Sequence, residues 1–80
     1  MARALRPDPA LATAVRQLRE DRGLTREALA FRAGLTISSL ARIELGQASP
    51  GWDTIRLIAT ALDVSLSSLA AAIEASEHDD

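Results

Sequence analysis

The side chains of this chain with chemistry to offer cluster between residues 36 and 42, where Thr36, Ile37, Ser38, Ser39, Ala41 and Arg42 surround Leu40. A guanidinium fork such as that of Arg42 matches the paired acceptors O6 and N7 of guanine, and it serves a phosphate nearly as well. The hydroxyls of Ser38 and Ser39 can bond to bases or phosphates, or can turn back onto the free backbone groups of a helix start. Ile37 offers only an apolar surface, which suits the methyl group of a thymine. This is the chemistry of recognition rather than of bond making. The single histidine, His78, lies in an acidic terminus, and Ser38 and Ser39 have no activating partner at useful spacing. Neither a Gly-rich phosphate loop nor a cluster of metal ligands occurs, so no enzyme, metal or cofactor is expected.

Presenting those residues requires a helix held at a steep angle to its neighbour. Residues 26–45 read REALAFRAGLTISSLARIEL. Ala30 is small enough to let two helices approach closely. Gly34, four residues on, ends the first of them with a φ that other residues resist. Leu29, Ala33, Leu35, Leu40 and Ile43 supply the apolar faces that lock the second helix onto the first. This is the skeleton of a helix-turn-helix, although an ordinary αα-hairpin with a Gly turn shares it. Around it, Asp8 and Pro9 open a first helix with Leu11, Ala14, Val15 and Leu18 on one face, ended by Gly23. Thr25 caps the second helix, whose dipole Glu27 favours, and Thr36 caps the third, which stops at Gly46. A fourth helix starts near Trp52 and turns Ile55, Ile58, Ala59 and Leu62 inward. Ser65 caps a fifth, with Leu66, Leu69, Ala70 and Ile73 on one face. No segment alternates at period two for long, so the chain is predicted to be all-α, with five helices.

Eighty residues make one domain. The expected division is a flexible arm at 1–7, the helical domain at 8–75 and an acidic disordered tail at 76–80. A chain this short buries only about 60% of its unfolded surface, and there is no Cys to staple it, so dimerisation is a reasonable source of further burial. No apolar run approaches the roughly 18 residues of a membrane span. Residues 1–7 lack the apolar core of a signal peptide, and a cytoplasmic location follows as the expectation. The net charge of −2 argues against a nucleic-acid binder, but its distribution does not. Residues 1–40 carry +3 and residues 41–80 carry −5. Every basic residue is Arg, and with sixteen Ala this points to GC-rich, bacterial coding DNA.

The landmarks LRxxRGLT (residues 18–25), LAxxAGLT (29–36), RIExG (42–46), Pro50 and TIRLIATALDVSLSSL (54–69) fall in an order and spacing that resemble the Cro/repressor-type (Xre) helix-turn-helix family. The resemblance runs from about residue 11 to 73. It implies a lambda-repressor-like, five-helix DNA-binding domain and a sequence-specific transcriptional regulator, a repressor or an autoregulator. Such a protein binds double-stranded DNA as a homodimer, with the third helix in the major groove and two copies of it about 34 Å apart on a palindromic operator. Controller proteins of restriction-modification systems are family members of this size. Antitoxins that bind a toxin and their own promoter also fit, as does a protein-protein interaction module that reuses the fold without DNA.

The same resemblance assigns residues. Arg26 stands where the family reaches a phosphate, usually through Gln. Thr36, Ile37, Ser38, Ser39 and Arg42 face the groove. Gln47, with Ala48 and Ser49, lies where the family approaches the DNA backbone with basic side chains, of which this loop has none; Arg3 and Arg6 in the arm could compensate, unless the arm is simply disordered. In some phage repressors the residues matching Arg19 and Glu44 form a buried ion pair, and the same pair is predicted here; two exposed charges are the alternative. Trp52, Ala70 and Ile73 are the expected dimer contacts, with Leu66 and Leu69 going to the core and Trp52 a core anchor otherwise. Leu45 departs from the family's usual polar residue and extends an apolar line through Ile37 and Ala41, which suits methyl-rich DNA or a protein partner. Phe31 falls off the buried stripe of the second helix and is expected to fold back onto the first.

Overall fold

A computed structural model describes residues 8–77 as five α-helices: α1 (Pro9–Asp21), α2 (Arg26–Ala33), α3 (Ile37–Glu44), α4 (Trp52–Ala61) and α5 (Leu66–Glu77). The arm expected at 1–7, with Arg3 and Arg6, and residues 78–80, with His78, lie outside the described residues.

Four of the five helices start where a side chain replaces a missing backbone partner. Asp8 Oδ1 accepts from the amide of Ala10 at 3.0 Å, and Thr25 Oγ1 accepts from that of Ala28 at 3.0 Å. Thr36 Oγ1 accepts from the amide of Ser39 at 3.0 Å, and Ser65 Oγ accepts from that of Ser68 at 2.9 Å. The turn that matters most follows α2. Gly34 adopts φ +72°, which lets the amides of Gly34 and Leu35 return to the carbonyls of Phe31 (3.2 Å) and Ala30 (2.9 Å). This closes α2 and redirects the chain into α3 within two residues. The turn between α4 and α5 has the same form, but there Asp63 takes φ +58° without the freedom of a glycine.

The core joins Leu11 and Val15 of α1, Leu29, Ala30 and Ala33 of α2, Leu40 and Ile43 of α3, and Ile58, Ala61 and Leu62 around the end of α4. Leu69 of α5 is buried, whereas Leu66 is half-buried and Ala70 exposed. α5 packs along α1, and α2 packs against α3 and α4. Two expectations are corrected. Phe31 does not fold back onto helix 1; it is 88% exposed. α2 presents Leu29, Ala30 and Ala33 to α3 and α4, and Phe31 projects from the opposite side, where α1 is not placed to receive it. The acidic tail does not begin at Ser76, because α5 continues through Glu77. Alanine at 70–72 and 75 sustains the helix, and Ser76 lies beside Asp8, Pro9 and Thr13 at the start of α1.

Among the described residues no single helix is long and apolar enough to cross a membrane; α4 and α5 meet that test only as a pair bent by 101°.

Candidate nucleic-acid interface

α3 has two sides with different jobs. Its inner side carries Leu40, Ile43 and Glu44, all buried. Its outer side carries Ile37, Ser38, Ser39 and Arg42, all exposed, with Ala41 half-buried and Leu45 exposed just past the last turn. At 100° per residue, Ser38, Arg42 and Leu45 fall within a sector of about 60° and form the middle of that side. Ile37 and Ser39 lie at its opposite edges. The apolar line through Ile37, Ala41 and Leu45 therefore crosses the surface obliquely: Ile37 is 48% exposed and Leu45 59%, with the half-buried Ala41 between them.

The hydroxyls divide as well. Thr36 Oγ1 donates to Ser39 Oγ at 2.9 Å while accepting from the Ser39 amide, so both side chains take part in the helix cap. Ser38 and Arg42 stand exposed on the outer side with no side-chain partner among the described residues. Gln47 is exposed beyond the C-terminus of α3, and its amide donates to the Arg42 carbonyl at 2.8 Å. Ala48 packs against the core, so the loop approaches the outer surface without a basic group.

What holds α3 at its angle is a buried carboxylate. Glu44 accepts from Arg19 twice, Nε to Oε2 at 2.7 Å and Nη2 to Oε1 at 3.1 Å. Arg26 adds a third bond, Nε to Oε1 at 3.2 Å. Arg19 also donates through Nη1 to the Leu24 carbonyl at 2.9 Å, which fixes its own position. The Glu44 side chain has no exposure, Arg19 retains 12% and Arg26 37%. A lone carboxylate at such a site would cost several kcal/mol in lost hydration. Here both of its oxygens are engaged by cations, and no buried side-chain nitrogen or oxygen among the described residues lacks a partner. The Arg19 pKa is raised above its ordinary value, chiefly by the hydrogen bond to Glu44, with partial burial opposing the shift.

The structure thus brings Arg19 and Glu44 together and adds Arg26, which the sequence assigned to phosphate alone. Two signals pointed to the third partner. An acid sits within the apolar stripe of α3, beside Ile43 and one turn from Leu40, and a carboxylate can accept from more than one fork. The first residue of α2 is basic, and α2 packs on α3. The residues expected at a dimer contact stand apart from this site. Trp52 is 63% exposed at the start of α4, which excludes a core anchor within one chain. Ala70 is exposed, and Ile73 packs partly against the core.

A helix-turn-helix family model matches residues 15–69. No curated protein matches the chain. Among solved structures, the restriction-modification controller protein C.AhdI from Aeromonas hydrophila is 36% identical, with a TM-score of 0.74 over 76% of this chain and 92% of that one. The clp gene regulator ClgR from Corynebacterium glutamicum is 25% identical, with a TM-score of 0.81 over 86% of this chain and 90% of that one. The controller protein C.Esp1396I, at 19% identity and a TM-score of 0.84 over 90% and 94% of the two chains, shares the fold. With Arg19 and Glu44 paired behind a helix that carries Ser38 and Arg42 outward, and with that match across most of its length, the chain belongs to the helix-turn-helix family, of the Cro/repressor (Xre) type.

Proposed function

We propose that this protein is a sequence-specific transcriptional regulator, a repressor or autoregulator, that binds a palindromic operator as a homodimer. The observation that carries this reading is the division of α3. Its inner side is fixed through Glu44, and its outer side presents the Ser38 and Arg42 side chains without competing partners among the described residues. An α-helix fits the major groove, and an unengaged guanidinium there can read a guanine edge. Arg26 and Gln47 would position the domain on phosphates, Thr36 and Ser39 would hold the start of α3, and Ile37 would meet a thymine methyl. The relatives' designations, a gene regulator and a restriction-modification controller, support the same class.

Exposed Trp52 and Leu57 on α4, together with Ala70 and Ile73 on α5, offer apolar area for the dimer contact. A two-fold pair of α3 helices spaced by one DNA turn, about 34 Å, then dictates the palindrome. Selection from a randomised duplex library followed by sequencing tests all of this at once. The expected result is an enriched palindrome with half-sites one turn apart, bound steeply less well as salt rises, because phosphate contacts release counterions. No enrichment at low salt by a folded helical protein would reject the reading. A second reading, docking of a protein partner, is favoured by one specific feature: Phe31 is 88% exposed on α2, outside the core.

A further inference from the structure

We infer that Glu44, although fully buried, is a positioning residue for DNA binding: it holds the Nε of Arg26 so that the rest of that guanidinium is presented to a backbone phosphate. The inference rests on the DNA-binding reading above, which already gives Arg26 a phosphate, and adds the means by which that contact is aimed.

Charge balance is the first argument. One carboxylate stands against two guanidiniums, so the triad keeps a net positive charge. Arg19 is nearly enclosed, with a donor also committed to the Leu24 carbonyl. The excess charge therefore surfaces mainly through Arg26, the most exposed of the three side chains. Geometry is the second. The bond from Arg26 Nε to Glu44 Oε1 ties the first residue of α2 to the last residue of α3, the helix whose outer side carries Arg42. A guanidinium is planar, so a bond at Nε restricts the directions in which its two terminal nitrogens can point. The third argument is need. The loop after α3 brings Gln47 and no basic side chain, and Arg26 is a basic side chain tied to that end of α3 that can supply a charged phosphate contact.

The chemistry requires arginine rather than any cation. A guanidinium can bond Glu44 through Nε and a phosphate through its terminal nitrogens at the same time, whereas a lysine ammonium is a single point that must divide itself between the two. The test is a salt titration of operator binding by the full chain and by Arg26→Lys, Arg26→Gln, Glu44→Gln and the Arg26→Gln/Glu44→Gln double variant, each at a temperature where circular dichroism shows it folded. Arg26→Gln is expected to weaken binding about tenfold and to make the slope of log K against log salt shallower by about 1.8 per dimer, two phosphate contacts having been lost. Arg26→Lys is expected to weaken binding about tenfold despite its retained charge. Glu44→Gln is expected to weaken binding more in the parent than in the Arg26→Gln background, where only its share in holding α3 through Arg19 remains. Parent affinity in Arg26→Lys, or an unchanged slope in Arg26→Gln, would overturn the inference while leaving the DNA reading intact; Arg26 would then be a strut and no more. If Glu44→Gln does not fold, the Lys and Gln variants at 26 still decide the matter. A parent chain that binds no duplex would remove the DNA reading itself, and the inference with it.

Discussion

The inner and outer sides of α3 share one eight-residue helix and its C-cap, Leu45, and follow opposite rules. On the inner side every position is spoken for: Leu40 and Ile43 fill the core, and Glu44 is bonded to two arginines from two other helices. On the outer side the Ser38 and Arg42 side chains have no partner among the described residues, and Ile37 and Leu45 expose apolar surface that the fold does not use. A change on the inner side must therefore appear in stability, and at Glu44 also in binding through Arg26. One on the outer side must appear in binding with little change in stability.

The largest effect that could break this division is removal of the buried acid. Glu44→Ala leaves Arg19 and Arg26 facing each other without a counter-charge and should cost about 3–5 kcal/mol of stability, read by urea denaturation. A loss under about 1 kcal/mol, the level of an exposed pair, would mean that the triad does not hold α3. Next comes Arg42→Ala, which should lower operator affinity by about 1–3 kcal/mol and relax selectivity at one base pair. Its unfolding free energy should move by less than about 0.5 kcal/mol, since the side chain is exposed. Smaller still is the contribution of Ile37. Replacing the facing thymine of the operator with deoxyuridine deletes one methyl group and should weaken binding by about 0.8 kcal/mol. In Ile37→Ala the same base change should have no effect; a penalty that survives there would assign the methyl contact elsewhere. The smallest effect expected is that of Phe31→Ala, within about 0.5 kcal/mol of parent stability, because the ring is 88% exposed. A loss above 1 kcal/mol in analytical unfolding would show that Phe31 is covered in solution, by a second chain or by a turn of α2.

Much of the fold was legible in the sequence because its signals are local. Asp8, Thr25, Thr36 and Ser65 each cap the helix that follows, and Gly23, Gly34 and Gly46 each take the positive φ that ends the helix before. The inward residues of α1 to α4 recur at helical spacing, so Leu11, Val15, Leu29, Leu40, Ile43, Ile58 and Leu62 could be named without knowing what they touch. The misses come from packing between elements distant in sequence. Periodicity said that Phe31 leaves the stripe of α2, but not that α1 lies elsewhere. Arg26 and Glu44 are 18 residues apart, and only the crossing of α2 over α3 brings them to 3.2 Å. Serine and glutamate at 76 and 77 read as tail, whereas α5, which packs along α1, runs two residues further. Within the candidate site, the residue types were readable but the engagement of Thr36 and Ser39 with each other was not. A hydroxyl at a helix start can face inward or outward, and only its hydrogen bonds decide.

Helix α3 is fastened at both ends, by the Thr36 cap at its start and by Glu44 at its finish. A reading head already in its final shape has little to reorganise at the moment of contact. The protein should therefore find DNA at a pace set by collision and ionic attraction, and tell correct from incorrect sequence by how long it stays. In stopped-flow measurements, outer-side substitutions such as Arg42→Ala should shorten residence on the operator while changing the association rate little. A slow, salt-independent association phase would instead mean that α3 is still settling when the duplex arrives.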